Sequence, residues 1–413
     1  MARSRTASVW LHGSRVGQIS SSSRTDIRFE YDEAVRDAHP LNTPVLSCSL
    51  PTGLRPTTGR PFFAGLLPEG DHRRSLASRA GVLDTDVFGL LRAFGQDVAG
   101  AVVVGDTVAV RPHASTVPYS DEALDAEVTA LSARVRPLAV YDDSELSIAG
   151  LQDKMLLVAM PDGRWARPVH GYPSTHILKL DDRTHRGLVV AEHTCLQIAQ
   201  AAELPAAQSQ LVRFGEADAL VVRRFDRLPA GDRMPSRTHQ EDVCQALGVD
   251  LEPSQGKAKY ESDGGPSLRQ VAGLLEAWGV PDERYRLLDQ VVFTVLTGNA
   301  DAHGKNIAIL HQRPGEIGLA ALYDTVPTAL WANLRTRAAM SIGGVIDLRQ
   351  LDLSDIVREG TRWGLSERSV HRRALDTMQR VHHACSLVDR PDEAIAERAV
   401  ALVTGNCRRL LGS

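Results

Sequence analysis

The sequence predicts an α+β protein of two lobes. A strand-rich N-terminal half carries an extra β-rich subdomain, and an all-helical C-terminal lobe follows apart from one hairpin. Three observations carry this prediction. Short apolar–polar alternating runs, broken by Gly and Pro, fill roughly the first hundred residues and recur between 147 and 237. One amphipathic helix interrupts the second set as a crossover. Beyond about Arg237 the apolar residues take helical spacing nearly throughout, with a hairpin at 307–322.

The chain has 413 residues, 24% charged and 43% hydrophobic, the composition of an ordinary globular protein rather than a disordered, collagen-like or coiled-coil one. A chain of this size buries enough core to fold without disulfides or a structural metal. Its 47 Lys+Arg against 51 Asp+Glu give a net charge of -4, so no overall basic field draws it to nucleic acid or anionic lipid. Cys48, Cys195, Cys244, Cys385 and Cys407 are scattered and form no CxxC. That argues against a disulfide framework and a zinc site, and fits a reducing compartment. MARSRTASVWLHGSR lacks the apolar region of a signal peptide, and no run approaches the ~20 apolar residues of a membrane span. A cytoplasmic protein without a membrane partner is expected.

Four segments make up the chain. In 1–111, SVWLHGSRVGQI alternates and splits at His12-Gly13-Ser14, the mark of a hairpin. Ile27 to Tyr31 and Val45 to Leu50 read as further strands. Pro68 and Gly70 interrupt FFAGLLPEG, a short helix runs to Gly81, VFGLLRAFG continues as helix, and DVAGAVVVGDTVAVRP returns as a hairpin. Residues 112–146 read as a connector around a helical SDEALDAEVTALSARV, with Ser120 as its N-cap. In 147–237, MLLVAM, WARPV and THILKL are strands, and LVVAEHTCLQIAQAAELP is the amphipathic helix. SQLVRF and DALVVRRF pair as a hairpin. The remainder, 238–413, is the helical lobe. HQEDVCQALGV superficially echoes a helix-turn-helix, but no basic recognition helix comes after it, so it reads as a structural helix of that lobe.

The chemistry concentrates in GNADAHGKNIAILHQRPGEIGLAALYDT. Asp301 and Asn306 sit five residues apart in a polar loop after the helix QVVFTVLTGN. IAIL and LAAL form a hairpin whose start and end share an edge, which brings Asp324 beside Asn306. Two oxygen ligands and a free carboxylate meeting in one place suit Mg²⁺-dependent phosphoryl transfer, and protein kinases use this arrangement. Lys305 adds positive charge beside Asn306. A plain polar turn is the competing reading of the loop, and His303 reads as a packing residue within it. THILKL places Lys179 in an otherwise apolar strand, as a phosphate-orienting amine or as a Lys snorkelling from a strand end. Glu192 opens the next helix, as a partner for that Lys or as an ordinary first-turn acid. Ser147, Ala149, Gly150 and Lys154 lie in SIAGLQDK, a small-residue loop whose amides could cradle phosphates.

Taken in order, FFAGLLPEG, SIAGLQDK, THILKL, VVRRFDR, HQEDVCQALG, KYESDGGP, TGNADAHGKN, LYDT and AAMSIGG resemble the HipA family of serine/threonine-kinase toxins over nearly the whole chain. The resemblance implies a two-lobed kinase-like fold with a HipA-like N-terminal subdomain. It implies ATP and Mg²⁺ as cofactors, with Ser147, Ala149, Gly150, Lys154, Lys179, His303, Lys305 and Asn306 on the ATP side. Asp301 would be the catalytic base, Asn306 and Asp324 the metal ligands, and Ser147 a site of self-inactivating autophosphorylation. The implied target is an aminoacyl-tRNA synthetase, with glutamyl-tRNA synthetase the family precedent. The implied partner is a small helix-turn-helix antitoxin dimer (HipB-like), through which DNA is met indirectly. The chain departs from the family in having Arg223 before Arg224-Phe225-Asp226-Arg227, where the family often carries Glu near the nucleotide hinge. A small-molecule phosphotransferase and a non-catalytic antitoxin co-repressor are the rival readings.

Overall fold

The computed structural model describes residues 5–53, 55–105, 114–132, 154–181, 185–215, 217–231, 233–252, 256–388 and 394–412. The chain divides into two compact units. The first comprises Met1–Leu180, Val212–Gly256 and Leu310–Glu316; the second comprises Asp181–Leu211, Lys257–Ile309 and Ile317–Ser413.

The first unit opens with a five-stranded sheet in the order Thr57–Thr58, Arg28–Tyr31, Ser14–Ser21, Arg5–Leu11, Val102–Val104. The expected hairpin turns at His12 and Gly13, both with positive φ (50° and 79°), the backbone that a two-residue hairpin turn demands. Helices Arg60–Gly65, Gly70–Ala80 and Val87–Phe94 come next. Phe62, Phe63, Phe88, Leu90 and Leu91 join Val9, Ile19 and Phe29 from the sheet in one core. Val45 to Leu50 is not the strand its apolar residues suggest. Only a bridge between Ser47 and Leu50 forms. Side chains take its backbone donors instead: Leu46 N–H donates to Tyr31 Oη (3.0 Å) and Cys48 N–H to Glu241 Oε1 (2.9 Å).

The second sheet runs Ser209–Phe214, Ala217–Arg223, His176–Leu180, Lys154–Ala159, Trp165–Val169, Ser115–Pro118. The segment that reads as a connector thus supplies an edge strand, and also a covering helix. Asp121–Ser132 sets Leu124, Val128 and Leu131 on the face formed by Met155, Leu157, Leu178, Leu180 and Val221. Ser120 caps it as expected, accepting from Ala123 N–H at 3.2 Å.

VRRFDR serves an architectural end. Arg224, Arg227, Asp97 and Asp226 are buried together with side chains no more than 2% exposed. Arg224 Nη2 donates to Asp226 Oδ2 and Arg227 Nη2 to Asp97 Oδ1, each at 2.8 Å. Gly100 N–H donates to Asp226 Oδ2 (2.8 Å), and the Val98 carbonyl accepts from both arginines. The network therefore ties the end of the N-terminal subdomain to the strand leaving the second sheet.

HQEDVCQALGV is also not the helix it reads as. His239–Asp242 is a strand, because His239 and Glu241 are buried in alternation with half-buried Gln240 and Asp242. Only Val243–Ala246 turns helical, behind an Asp242/Gln245 capping box.

The second unit is mostly helical. Glu283–Thr297 packs against Glu367–Ala384 and Ala394–Leu411, and buried Asp289 accepts from Nε and Nη2 of Arg373 (2.8 and 2.6 Å) and from the Thr377 hydroxyl (2.7 Å). The expected hairpin forms from Ala308–Arg313 and Glu316–Leu319, so its return strand is EIGL rather than LAAL. A second hairpin, Arg337–Ile342 with Val345–Asp347, has no counterpart among the elements the sequence predicts. It turns on Gly343 and Gly344, both at positive φ (62° and 94°). Among the described residues, no helix is long and apolar enough to cross a membrane.

Burial sets an acid limit on the fold. It lowers His176 from 6.5 to about 4, helped by Arg223, and it also lowers His193. Between those two values the unfolded chain binds protons that the folded chain refuses, so stability falls as pH drops through that window. The melting temperature is expected to decline steadily from about pH 6.5 toward about pH 4. A flat profile over that range would contradict the assignment.

Candidate active site

The helix Glu283–Thr297 ends because Gly298 adopts the left-handed conformation (φ 64°), and the polar loop begins there. Asn299 organises the loop. Its Oδ1 accepts from Asp301 N–H (3.1 Å), and its Nδ2 donates to the Asp324 carbonyl (3.3 Å). The Asp301 carbonyl accepts from His303 N–H (2.8 Å) and from Asn306 Nδ2 (2.9 Å). Tyr323 Oη donates to the Lys305 carbonyl (2.7 Å). Asn299 thus ties the Asp301 amide to the Asp324 carbonyl, and Asn306 joins them through the Asp301 carbonyl. Asp324 is held at φ 51°, a backbone state unfavourable for a residue with a Cβ, and the Asn299 bond to its carbonyl helps hold it there.

With its amide nitrogen donating to Asp301, Asn306 would offer its Oδ1 oxygen to a metal. That oxygen and a carboxylate such as that of Asp324 are hard donors of the kind that Mg²⁺ takes. A cavity of about 40 Å³, lined by Asn299, Asn306 and Thr325 and, for the larger part, by apolar residues such as Leu268, Met340 and Ile342, is far too small for a nucleotide.

Sequence reasoning did not single out Tyr260. Its hydroxyl donates to Asp301 Oδ1 at 2.8 Å. The Arg335 guanidinium lies 4.1 Å from its ring centre, and the His303 ring meets it edge-on at 5.3 Å, which is the packing role expected of His303. Glu261, the next residue, accepts from Ser341 N–H in the second hairpin (2.5 Å). KYESDGGP and AAMSIGG thus meet to fix Tyr260. The signal available was their presence in the motif series, without any chemistry attached. Lys305 is buried in the loop.

In the first unit Lys154 and Lys179 are buried and directly opposed across adjacent antiparallel strands. Both sit on the face away from the Asp121–Ser132 helix, because alternation sends Met155 and Leu178 to that helix's side. Glu192 is buried and lies one turn inside its helix, which begins at Leu188, rather than opening it. Phe225 is half-buried beside the arginine network. Ser147, Ala149 and Gly150 lie outside the described residues.

A family model described as the HipA-like C-terminal domain matches residues 146–385, and one described as the HipA N-terminal domain matches residues 7–105. The chain is 37% identical over 359 residues to Y4mE of Sinorhizobium fredii, covering 84% of this chain and 83% of that protein. It is 31% identical over 297 residues to the serine/threonine-protein kinase toxin HipA of Shewanella oneidensis, covering 69% of this chain and 67% of that one. A solved structure of the Shewanella oneidensis HipA, HipB and operator DNA complex contains a chain of the same fold. It superposes with a TM-score of 0.82 over 98% of this chain and 97% of that chain, at 24% identity.

Proposed function

The chain belongs to the HipA family, and on that premise we propose that it is an ATP- and Mg²⁺-dependent protein serine/threonine kinase, the toxin of a toxin–antitoxin pair. The observation that carries this reading is the convergence of Asp301, Asn306 and Asp324 on one hydrogen-bonded loop. Asp301 accepts the proton of the attacking hydroxyl as that oxygen bonds to the γ-phosphorus and ADP leaves. Tyr260, donating to Oδ1, leaves Oδ2 to receive the proton. Asn306 and Asp324 supply oxygen ligands for Mg²⁺, which when bound offsets charge on the phosphates. Lys179 and Lys154 pair with the ATP phosphates, and Lys305 adds charge beside the reacting group.

Ser147 is the proposed site of autophosphorylation. A phosphate there adds about -1.5 to -2 charge where ATP phosphates would bind, so the modified loop and nucleotide repel. The proposed target is an aminoacyl-tRNA synthetase, with glutamyl-tRNA synthetase first to be tried, and the proposed site of action is the cytoplasm. The proposed partner is a HipB-like helix-turn-helix antitoxin that brings the chain to DNA indirectly. The net charge of -4 fits a protein that does not seek DNA by itself.

Calorimetric titration with ATP tests the nucleotide reading. Binding should require Mg²⁺, and Asp324→Asn should weaken it at least about tenfold. Absence of ATP binding with or without Mg²⁺ would leave an antitoxin co-repressor instead. Tyr260→Phe removes one hydrogen bond to a charged acceptor, so kcat should fall about tenfold or more with the KM for ATP unchanged. An unchanged kcat would remove Tyr260 from the positioning role.

A further inference from the structure

Outside the proposed active site, the first unit holds a second cluster of ligand-type side chains. Cys48 Sγ, a Glu241 carboxylate oxygen and a His311 ring nitrogen lie within 4.8 Å of one another. They come from three distant segments: the Pro44–Leu50 loop, the strand His239–Asp242 and the strand Ala308–Arg313. No local spacing motif could reveal them.

Three features distinguish the cluster from an ordinary buried hydrogen-bond network. First, Glu241 is 1% exposed, and among the described residues no Lys or Arg pairs with it; its Oε1 lies 2.9 Å from the His311 ring nitrogen Nε2. Its other contacts are the Ser47 hydroxyl (2.5 Å) and Cys48 N–H (2.9 Å), which orient the carboxylate without supplying a fixed positive charge. A buried carboxylate in that position calls for a cation. Second, His311 Nδ1 is buried without a hydrogen-bond partner among the described residues, and so is Nδ1 of His239. The His239 ring lies 4.7 Å from the His311 ring, and its Nε2 is bonded to the Leu46 carbonyl (2.7 Å), which limits how either ring can move. Third, Cys48 is half-buried and so the least enclosed of the three, whereas Glu241 and His311 are buried.

We propose that Cys48, Glu241 and His311 bind a divalent transition-metal ion of the zinc class, with solvent in the fourth position. One thiolate and one carboxylate neutralise a divalent charge, and a sulfur–nitrogen–oxygen donor set selects zinc or cobalt over Mg²⁺. In the metal-free protein, burial and the adjacent Glu241 keep the Cys48 thiol protonated. Metal binding therefore displaces one proton, from Cys48 to solvent, as the metal–sulfur bond forms. The bound ion clips the Pro44–Leu50 loop to both strands.

The test uses the full chain, stripped with a chelator and titrated with Co²⁺ in excess Mg²⁺. A single equivalent should produce a thiolate-to-cobalt charge-transfer band and the visible bands of a tetrahedral site, and Zn²⁺ should displace it. Zn²⁺ should raise the melting temperature by several degrees. Cys48→Ser should abolish the charge-transfer band, and His311→Ala should weaken Co²⁺ binding at least about tenfold. Asp324→Asn should leave the band intact, which separates this site from the proposed Mg²⁺ site. No band and no stabilisation in a chain that melts normally would overturn the proposal, as would a band that survives Cys48→Ser. Should Cys48→Ser fail to fold, alkylation of Cys48 in the wild-type chain decides. Zn²⁺ slows it at least about tenfold if the thiolate is a ligand, and an unchanged rate would refute the site.

Discussion

Asp301→Asn is expected to lower phosphoryl transfer by about a hundredfold to ten-thousandfold, the range for loss of a general base, while ATP affinity and melting temperature stay near wild type. The substitution is nearly isosteric. The backbone bonds that shape the loop run through the Asp301 carbonyl and N–H, which the variant keeps. Tyr260 keeps an oxygen to which it can donate. What disappears is the basic carboxylate oxygen that takes the hydroxyl proton. Steady-state transfer rates beside a melting curve check this. A variant that retained most of its activity would assign the proton to another group, and one that unfolded would make Asp301 structural.

Asp226→Ala carries the largest expected effect on stability. It leaves Arg224 and Arg227 buried with Asp97 as their remaining carboxylate, and breaking one member of a buried ion network costs about 3–5 kcal/mol. In a unit of this size the unfolding transition should fall by about 10 °C. Burial alone would raise both aspartates, but the guanidiniums of Arg224 and Arg227 more than reverse that and hold them below the ordinary carboxylate range. Their depressed values mean the contribution is present above about pH 4 and is lost only as pH falls through the folded-state values. Arg223→Ala is the internal control. Arg223 is half-buried, whereas Arg224 is enclosed within the network, so losing Arg223 should cost far less than losing its neighbour. Equal losses would contradict the distinction.

That contrast shows what the sequence could and could not disclose. VRRFDR was legible as a motif, but a run of charges beside a strand looks like a ligand site or a solvated edge. Only the fold reveals that Asp97, more than a hundred residues away, completes a buried network with it. Tyr260 escaped notice for the same reason, since its partner Asp301 is reached across 41 residues. By contrast, Asp301 and Asn306 share one loop that the sequence marks by its polarity, whereas Asp324 lies beyond the return strand and is tied to that loop through Asn299, a contact that spacing does not disclose. Val45 to Leu50 misled because its apolar pattern suits a strand, whereas side-chain acceptors from Tyr31 and Glu241 took its amides. HQED misled in the opposite sense. Its burial alternates with a period of two, but the buried residues are His and Glu, which a hydrophobic pattern does not register.

The central claim is that this loop transfers the γ-phosphate of ATP to a serine hydroxyl. Incubating the purified chain with ATP and Mg²⁺ beside Asp301→Asn, followed by intact-mass and peptide mass spectrometry, tests it most directly. One added phosphate on Ser147 in the wild type, absent from the variant, is the predicted result. No phosphate on the wild-type chain, and none on an offered synthetase in the same reaction, would contradict it.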